Sequence, residues 1–170
     1  MSVSIRRAVQ DDVDFLVDLV RHEQVAPFLA AVRPSGSDEL AAVIGRSAAE
    51  PEAGGVFVIE VDGERAGTIE FERVNRRSRI ASIGGLALHP TFRGKGAAEE
   101  ASRLLQHHLI REVGFHRLQL EVYAFNKRGL AHAERCGFVR EGVRRKAYWR
   151  DGGWVDGVLF GLVEEDLPPA

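Results

Sequence analysis

Apolar residues alternate with polar ones in the segment from Val3 to Val9, and then recur at helical spacing as Val13, Leu16, Val17 and Val20 between Asp11 and His22. The pattern predicts a short strand followed by a helix with one buried stripe and an otherwise acidic surface. Asp11, Asp12 and Asp14 suit the start of that helix, where the dipole favours negative charge. A second helix is predicted from Ser37 to Ala49. Between the two, Pro27 to Pro34 reads as a surface connection with exposed Phe28 and Leu29, the kind of segment that lines a binding cleft. From Gly55 the period changes to two. VFVIEV and RAGTIEFERV flank Asp62-Gly63, a pair that favours a type I′ turn, so they form an antiparallel hairpin. A third strand, RIASIGGLAL, carries Gly84-Gly85 in its middle, which weakens it unless the backbone bulges there or something must approach closely.

Beyond Pro90 a Gly-rich turn leads into a helix that places Ala97, Ala101, Leu104, Leu105, Leu109 and Val113 on one side and stops at Gly114. Leu118, Leu120 and Val122 then alternate with Gln119, Glu121 and Tyr123, a strand whose second face is polar. A short helix from Asn126 to Cys136 ends at Gly137. VREGVRRKAYWR and WVDGVLFGLV, around Asp151-Gly152-Gly153, close the chain as a hairpin. No repeat and no low-complexity linker interrupts this order. At 170 residues, 45% of them hydrophobic, the chain suffices for one core, and a single domain over 1–170 is expected.

Charge narrows the classes. With 23 basic and 25 acidic residues the net charge is −2, and the basic run Arg144, Arg145 and Lys146 beside Tyr148 and Trp149 lacks the interleaved aromatic stripe of a nucleic-acid binder. No nucleic acid is expected. The lone Cys136 forms no internal disulfide and reads as a small buried apolar residue. Charges begin at Arg6, ahead of any apolar run, and the stretch from Ile80 to Leu88 is too short to cross a bilayer. These features predict a cytoplasmic protein without a membrane partner. Adjacent His107 and His108 point to different sides of a helix, and no metal site is expected.

The strongest chemical signal is His89-Pro90-Thr91-Phe92-Arg93-Gly94-Lys95-Gly96-Ala97-Ala98, between a strand and a helix. A helix start offers unpaired N–H groups and the positive end of the dipole, so a phosphate binds there if no side chain blocks it. Gly94, Gly96, Ala97 and Ala98 leave that approach open, and Arg93 and Lys95 add positive charge suited to a pyrophosphate. The same residues also suit a plain strand-to-helix turn with solvated cations. GxxxxGK[ST] and GxGxxG are both absent, which excludes the usual nucleoside triphosphate and dinucleotide loops.

Arg93-Gly94-Lys95-Gly96-Ala97-Ala98 matches the R/Q-x-x-G-x-G/A pyrophosphate loop, and LEVYAFNKRGLAHAERCGFVREG looks like the strand, asparagine-led helix and Gly-Phe ending, of the GCN5-related N-acetyltransferase (GNAT) family. The chain resembles that family from about Gly55 onward, and RDGGWVDGVLFGLV is similar to its branch that modifies ribosomal-protein N-termini. The resemblance implies an α/β fold with a mixed sheet of about six to seven strands, splayed in its centre and flanked by helices. It also implies acetyl-CoA as cosubstrate, with the main chain of Leu86, Ala87 and Leu88 pairing with the pantetheine arm. Asn126 matches an asparagine that contacts coenzyme A in the family, a role compatible with a helix N-cap. The acceptor it implies is an amine, either a peptide N-terminus or a small molecule, and a homodimer is left open.

Transfer from thioester to amine requires a neutral amine, donors for the developing oxyanion and a route for protonating the thiolate. Glu121 matches the strand glutamate that serves as base in some N-terminal acetyltransferases of the family, with Glu70 and Glu72 as alternatives. The family's frequent acid, a tyrosine seven positions after the helix asparagine, is Ala133 here. Tyr123 or Tyr148 replaces it, or the thiolate leaves unassisted. Ala133 also keeps open a different reading, a coenzyme A-binding sensor without turnover. Trp149 and Trp154 either line the acceptor pocket or fill core.

Overall fold

The computed structural model describes residues 1–29 and 36–167. Strands β1 (Val3–Arg7), β2 (Gly54–Val61), β3 (Glu64–Asn75), β4 (Ile80–Leu88), β5 (Arg117–Tyr123), β6 (Val139–Arg150) and β7 (Gly153–Val163) form one sheet. Helices α1 (Val13–Arg21), α2 (Ser37–Ala49), α3 (Ala97–His107) and α4 (Lys127–Arg135) flank it. The strand order is β1-β2-β3-β4-β5-β7-β6, antiparallel except where β4 meets β5. The fold is the α/β arrangement with a mixed, centrally splayed sheet that the resemblance implies. None of the described helices is long and apolar enough to cross a membrane.

Packing explains why VFVIEV reads as a continuous apolar run. Val56 and Val58 face α1 and α2, where Val13, Leu16, Val17, Leu40 and Ile44 cover them. Phe57, Ile59 and Val61 face the opposite layer with Ala101, Leu105 and Leu109. A strand covered on both faces needs apolar residues at every position. Each such fully buried leucine or isoleucine contributes roughly 1.5–3 kcal/mol. The turns follow their chemistry: Asp62 and Gly63 have φ of 51° and 83°, and Asp151 and Gly152 have 47° and 80°.

Two boundaries differ from the expectation. β1 ends at Arg7 and α1 begins at Val13, with a 3-10 turn over Gln10–Asp12 between them. Asp12 is the reason. It is only 2% exposed, accepts the Arg6 guanidinium at 2.7 and 3.0 Å, and accepts the Val9 N–H at 2.9 Å, so it closes a turn instead of opening a helix. α3 continues as a wider π-helical stretch over His108–Val113, ended by Gly114 at φ 90°. There two consecutive residues, Leu109 and Ile110, are both buried.

The feature that creates a site lies between β4 and β5. Their parallel pairing covers only Ile80–Ser82 against Arg117–Gln119, and the strands part beyond it. On the other side of β4, Thr68 pairs with Ala87 but Glu70 pairs with Gly84, so Ile69 alone opposes Gly85 and Leu86. Gly85 takes φ 62°, a conformation that glycine adopts freely. The Gly84-Gly85 pair is thus a β-bulge, placed where the strands diverge.

Candidate active site

The parted strands open a cavity of about 1020 Å³ that runs from Gly94, Gly96 and Ala98 at the start of α3, along Leu86 to Leu88, to Glu121 and Tyr148. Of the residues singled out from the sequence, Leu86, Ala87, Leu88, Arg93, Gly94, Gly96, Ala97, Ala98, Glu121, Tyr123 and Asn126 line it. Lys95 is exposed and does not. Beyond Ser82 the β5-facing edge of β4 has no strand partner, which leaves main-chain groups able to pair with an extended ligand.

At the α3 start, Gly94 and Gly96 have φ of 81° and 80°, and Gly96 is the N-cap. A methyl group built on Gly94 meets nothing within 4 Å, and one on Gly96 meets only Glu99 Oε2 at 3.9 Å. The glycines therefore serve the left-handed turn while the space above the helix end stays open. Arg93 turns inward: its Nε donates to Leu88 O at 3.3 Å and a terminal nitrogen to Gln24 O at 2.9 Å. Burial, and then the like charge of Arg128, lower its pKa from the ordinary guanidinium value. Arg93 thus ties the end of β4 to the segment after α1.

Several residues here carry no sequence signal of their own. Lys127 and Arg128 at the start of α4 line the same cavity and bring positive charge towards the loop. Glu99 sits in the first turn of α3, where Arg135 holds its carboxylate at 2.6 Å and lowers its pKa. An anion therefore already rests against this helix end, as the dipole favours. The side-chain oxygen of Asn126 accepts the Gly129 N–H at 2.9 Å, an N-cap facing the cavity.

At the other end, Tyr148 donates its hydroxyl to Glu121 Oε2 at 2.6 Å, and Arg144 lies 3.8 Å from the same oxygen. Burial, and then the hydrogen bond to Glu121, raise the Tyr148 pKa. Glu121 Oε1 is buried without a hydrogen-bond partner. It has room because residue 157 is glycine: a Cβ there would lie 2.1 Å from Oε1 and 2.8 Å from the Tyr148 ring. Tyr123, two positions along β5, bonds elsewhere, accepting Arg150 at 3.2 Å and stacking on Phe125 at 5.3 Å. Arg150 also donates to Leu29 O at 3.1 Å and Pro27 O at 2.6 Å, which fixes the first residues of the predicted connection beside the cleft. The rest of that connection, 30–34, lies outside the described residues.

Among the alternatives for a base, Glu70 pairs with Gly84 and Glu72 is exposed, and neither lines the cavity. Ala133, in place of the tyrosine frequent in the family, is buried. Its neighbour His132 reaches Ser102 Oγ at 3.0 Å and Cys136 Sγ at 3.5 Å, and burial lowers its pKa. Cys136 is 2% exposed, with burial raising its thiol pKa, as befits a small packed residue. Trp149 and Trp154 are exposed and paired at 5.1 Å on the closing hairpin, outside both the cavity lining and the core.

The sequence pattern of the Acetyltransferase (GNAT) family matches residues 17–138. An uncharacterized N-acetyltransferase, YokL, of Bacillus subtilis (strain 168) is 30% identical over 111 residues, 65% of this chain and 62% of its own. Spermidine N(1)-acetyltransferase of Escherichia coli (strain K12) is 28% identical over 108 residues, 64% of this chain and 58% of its own. The chain thus spans about three fifths of the length of these curated relatives. Spermidine N-acetyltransferase from Vibrio cholerae in complex with CoA and spermine superposes with a TM-score of 0.87 at 20% identity, over 97% of both chains. Ribosomal-protein-S5-alanine acetyltransferase from Vibrio fischeri gives 0.84 at 18% identity, over 99% of this chain and 97% of that one. At such identities the likeness is one of fold. With its pattern matched over most of its length and its sheet splayed above a glycine-rich helix start, the chain belongs to the GNAT acetyltransferase family.

Proposed function

We propose that this chain is an N-acetyltransferase that takes the acetyl group of acetyl-CoA to a primary amine, on a peptide N-terminus or a small molecule. The observation that carries the reading is one continuous cavity joining an open, cation-flanked helix start to Glu121. The donor set fits the cosubstrate. The α3 N–H groups, Lys95 and Arg128 suit its pyrophosphate, Asn126 faces the same channel, and the open edge of β4 suits its pantetheine arm. Arg93 acts by holding the loop, through the carbonyls of Leu88 and Gln24.

When bound, acetyl-CoA supplies a thioester carbonyl, which accepts a main-chain N–H near Leu88 as charge develops on its oxygen. The amine nitrogen bonds to that carbon, its proton passes to Glu121, and the carbon–sulfur bond breaks to release the thiolate. Tyr148 holds Glu121 in place and, with its pKa raised, stays a proton donor at neutral pH. Tyr123 lines the same cavity, with its hydroxyl held by Arg150. The nearby guanidinium groups of Arg144 and Arg150 also favour the neutral form of an incoming amine. Buried Ala133 favours the second reading, a coenzyme A-binding sensor. Following thiol release from acetyl-CoA across a panel of amines and N-terminal peptides separates the two: amine-dependent release is expected. Tight coenzyme A binding with no release for any amine contradicts the transferase reading.

A further inference from the structure

We infer that the acyl group of the donor lies in an apolar pocket beneath α4, and that the enzyme takes neutral aliphatic acyl chains longer than acetyl. This inference rests on the transferase reading and names a donor class for the same site. The cavity runs past the open channel into the core: Ile69, Ile83, Ala133 and Phe138 line it although all four are buried members of the main hydrophobic cluster. Protein interiors are packed nearly as densely as organic crystals, so interior space walled by core side chains suits an apolar part of a ligand.

The strands fix where that space lies relative to the reaction. Ser82 against Gln119 is the last pair between β4 and β5, so Leu120 is the first residue of β5 beyond the split and Glu121 the second. Side chains alternate along a strand. Leu120 and Val122 accordingly pack on the core side, against the cluster that holds Ala133 and Phe138, while Glu121 reaches Tyr148 on the other side. α4 returns along β5, and a methyl group built on Gly129 would lie 2.8 Å from Val122 Cγ1. Ala133 is about one turn, ~6 Å, further along the helix, and Leu120 is ~6–7 Å back along the strand from Val122, so the two stand at the same level. An amine activated by Glu121 approaches the thioester from the Glu121 face, which leaves the Leu120 face for the acyl chain. There α4 presents only the methyl group of Ala133.

The pocket suits a chain without charge. The polar side chains between α3 and α4, Ser102 and His132, bond to each other at 3.0 Å, and burial lowers the His132 pKa, which keeps the ring neutral at pH 7. Arg135 is held by Glu99 at 2.6 Å. An acyl chain ending in a carboxylate gives up its hydration here and finds that guanidinium already engaged, whereas each methylene of a neutral chain gains by leaving water.

The test compares acetyl-, butyryl- and succinyl-CoA on the full chain, with calorimetry for binding and transfer to a panel of amines and N-terminal peptides for kcat/KM. Butyryl-CoA is expected to bind about 10-fold more tightly than acetyl-CoA, the gain from two more buried methylene groups, and to match or exceed it in kcat/KM. Succinyl-CoA, whose chain has the same length, should bind about 100-fold more weakly than butyryl-CoA. Ala133→Leu fills the pocket from the helix and Leu120→Phe from the strand, and each should lower the ratio of butyryl- to acetyl-CoA affinity by about 10-fold. The ratio cancels any general loss of coenzyme A binding, and the wild-type comparison stands without either variant. Equal affinities for butyryl- and acetyl-CoA assign the space to the pantetheine arm and overturn the inference, as does a ratio that neither variant moves. Should no donor pass its acyl group to any amine while butyryl-CoA still binds more tightly and loses that advantage in the variants, the transferase reading fails and the acyl pocket stands.

Discussion

We propose Glu121 as the base that accepts the amine proton, and its position in the cavity depends on Gly157, over which its Oε1 packs. Gly157→Ala puts a methyl group where Oε1 now lies, 2.1 Å from its position, so Glu121 must swing away from Tyr148. Turnover is expected to fall by ~10²-fold with coenzyme A affinity unchanged. A variant with wild-type kcat would show that the position of Glu121 is immaterial. Tyr148→Phe removes one donor while keeping the ring, and on this account lowers kcat more than Tyr123→Phe does, since Tyr148 bonds Glu121 and Tyr123 bonds Arg150. Steady-state kinetics of the two variants checks the order. The alternation of β5 put Glu121 on a polar face, and the resemblance to the family singled it out as a base. Tyr148 could be named only as one of two tyrosines, because its contact spans 27 residues and depends on the irregular β6–β7 register between Arg144 and Tyr148.

At the scale of elements, the α3 start requires a left-handed backbone at Gly96, and we propose that it also requires an unobstructed anion site there. Gly96→Ala is expected to cost ~1–2 kcal/mol of stability from the left-handed conformation alone. Gly96→Glu adds a negative charge at the same point, and coenzyme A affinity should fall well beyond the alanine variant's. Denaturant titration and calorimetry on both variants separate strain from charge, and equal affinities in the two would contradict the anion assignment. The α3–α4 contact carries a pH dependence through His132. Burial lowers its folded pKa, so the unfolded chain takes up that proton first, near ~6.5, and the associated loss of stability is absent above that value and grows as pH falls below it. The melting temperature should therefore fall between pH 7 and pH 5, and fall less in His132→Gln. An identical drop in both would remove His132 as a cause. The glycine loop and the order of helices and strands were legible because they are local. The Glu99–Arg135 pair and the Ser102–His132 contact, which join α3 to α4, were not, since no spacing rule brings two helices together.

For the whole molecule, the cavity exists because β4 leaves β5 after three pairs and bulges at Gly85 against β3. The glycine pair marked the place in the sequence, but the opening itself arises from pairing between strands that α3 separates along the chain. The turn closed by Asp12, with its buried carboxylate on Arg6, was likewise hidden, because an aspartate at that point also suits a helix start. Asp12→Asn should destabilise the fold by about 1–3 kcal/mol without changing coenzyme A affinity, as read by urea unfolding and calorimetry. We propose that this opening brings an acetyl donor held at α3 to an amine at Glu121. The most direct measurement is transfer of isotope-labelled acetyl from acetyl-CoA to an amine nitrogen, read by mass spectrometry for the wild-type chain and Glu121→Gln at matched coenzyme A occupancy. Labelled amide from the wild type, with a rate ~10²–10⁴-fold lower in the variant, is the expected result. Equal rates in the two, or no labelled amide from the wild type with any amine, would contradict it.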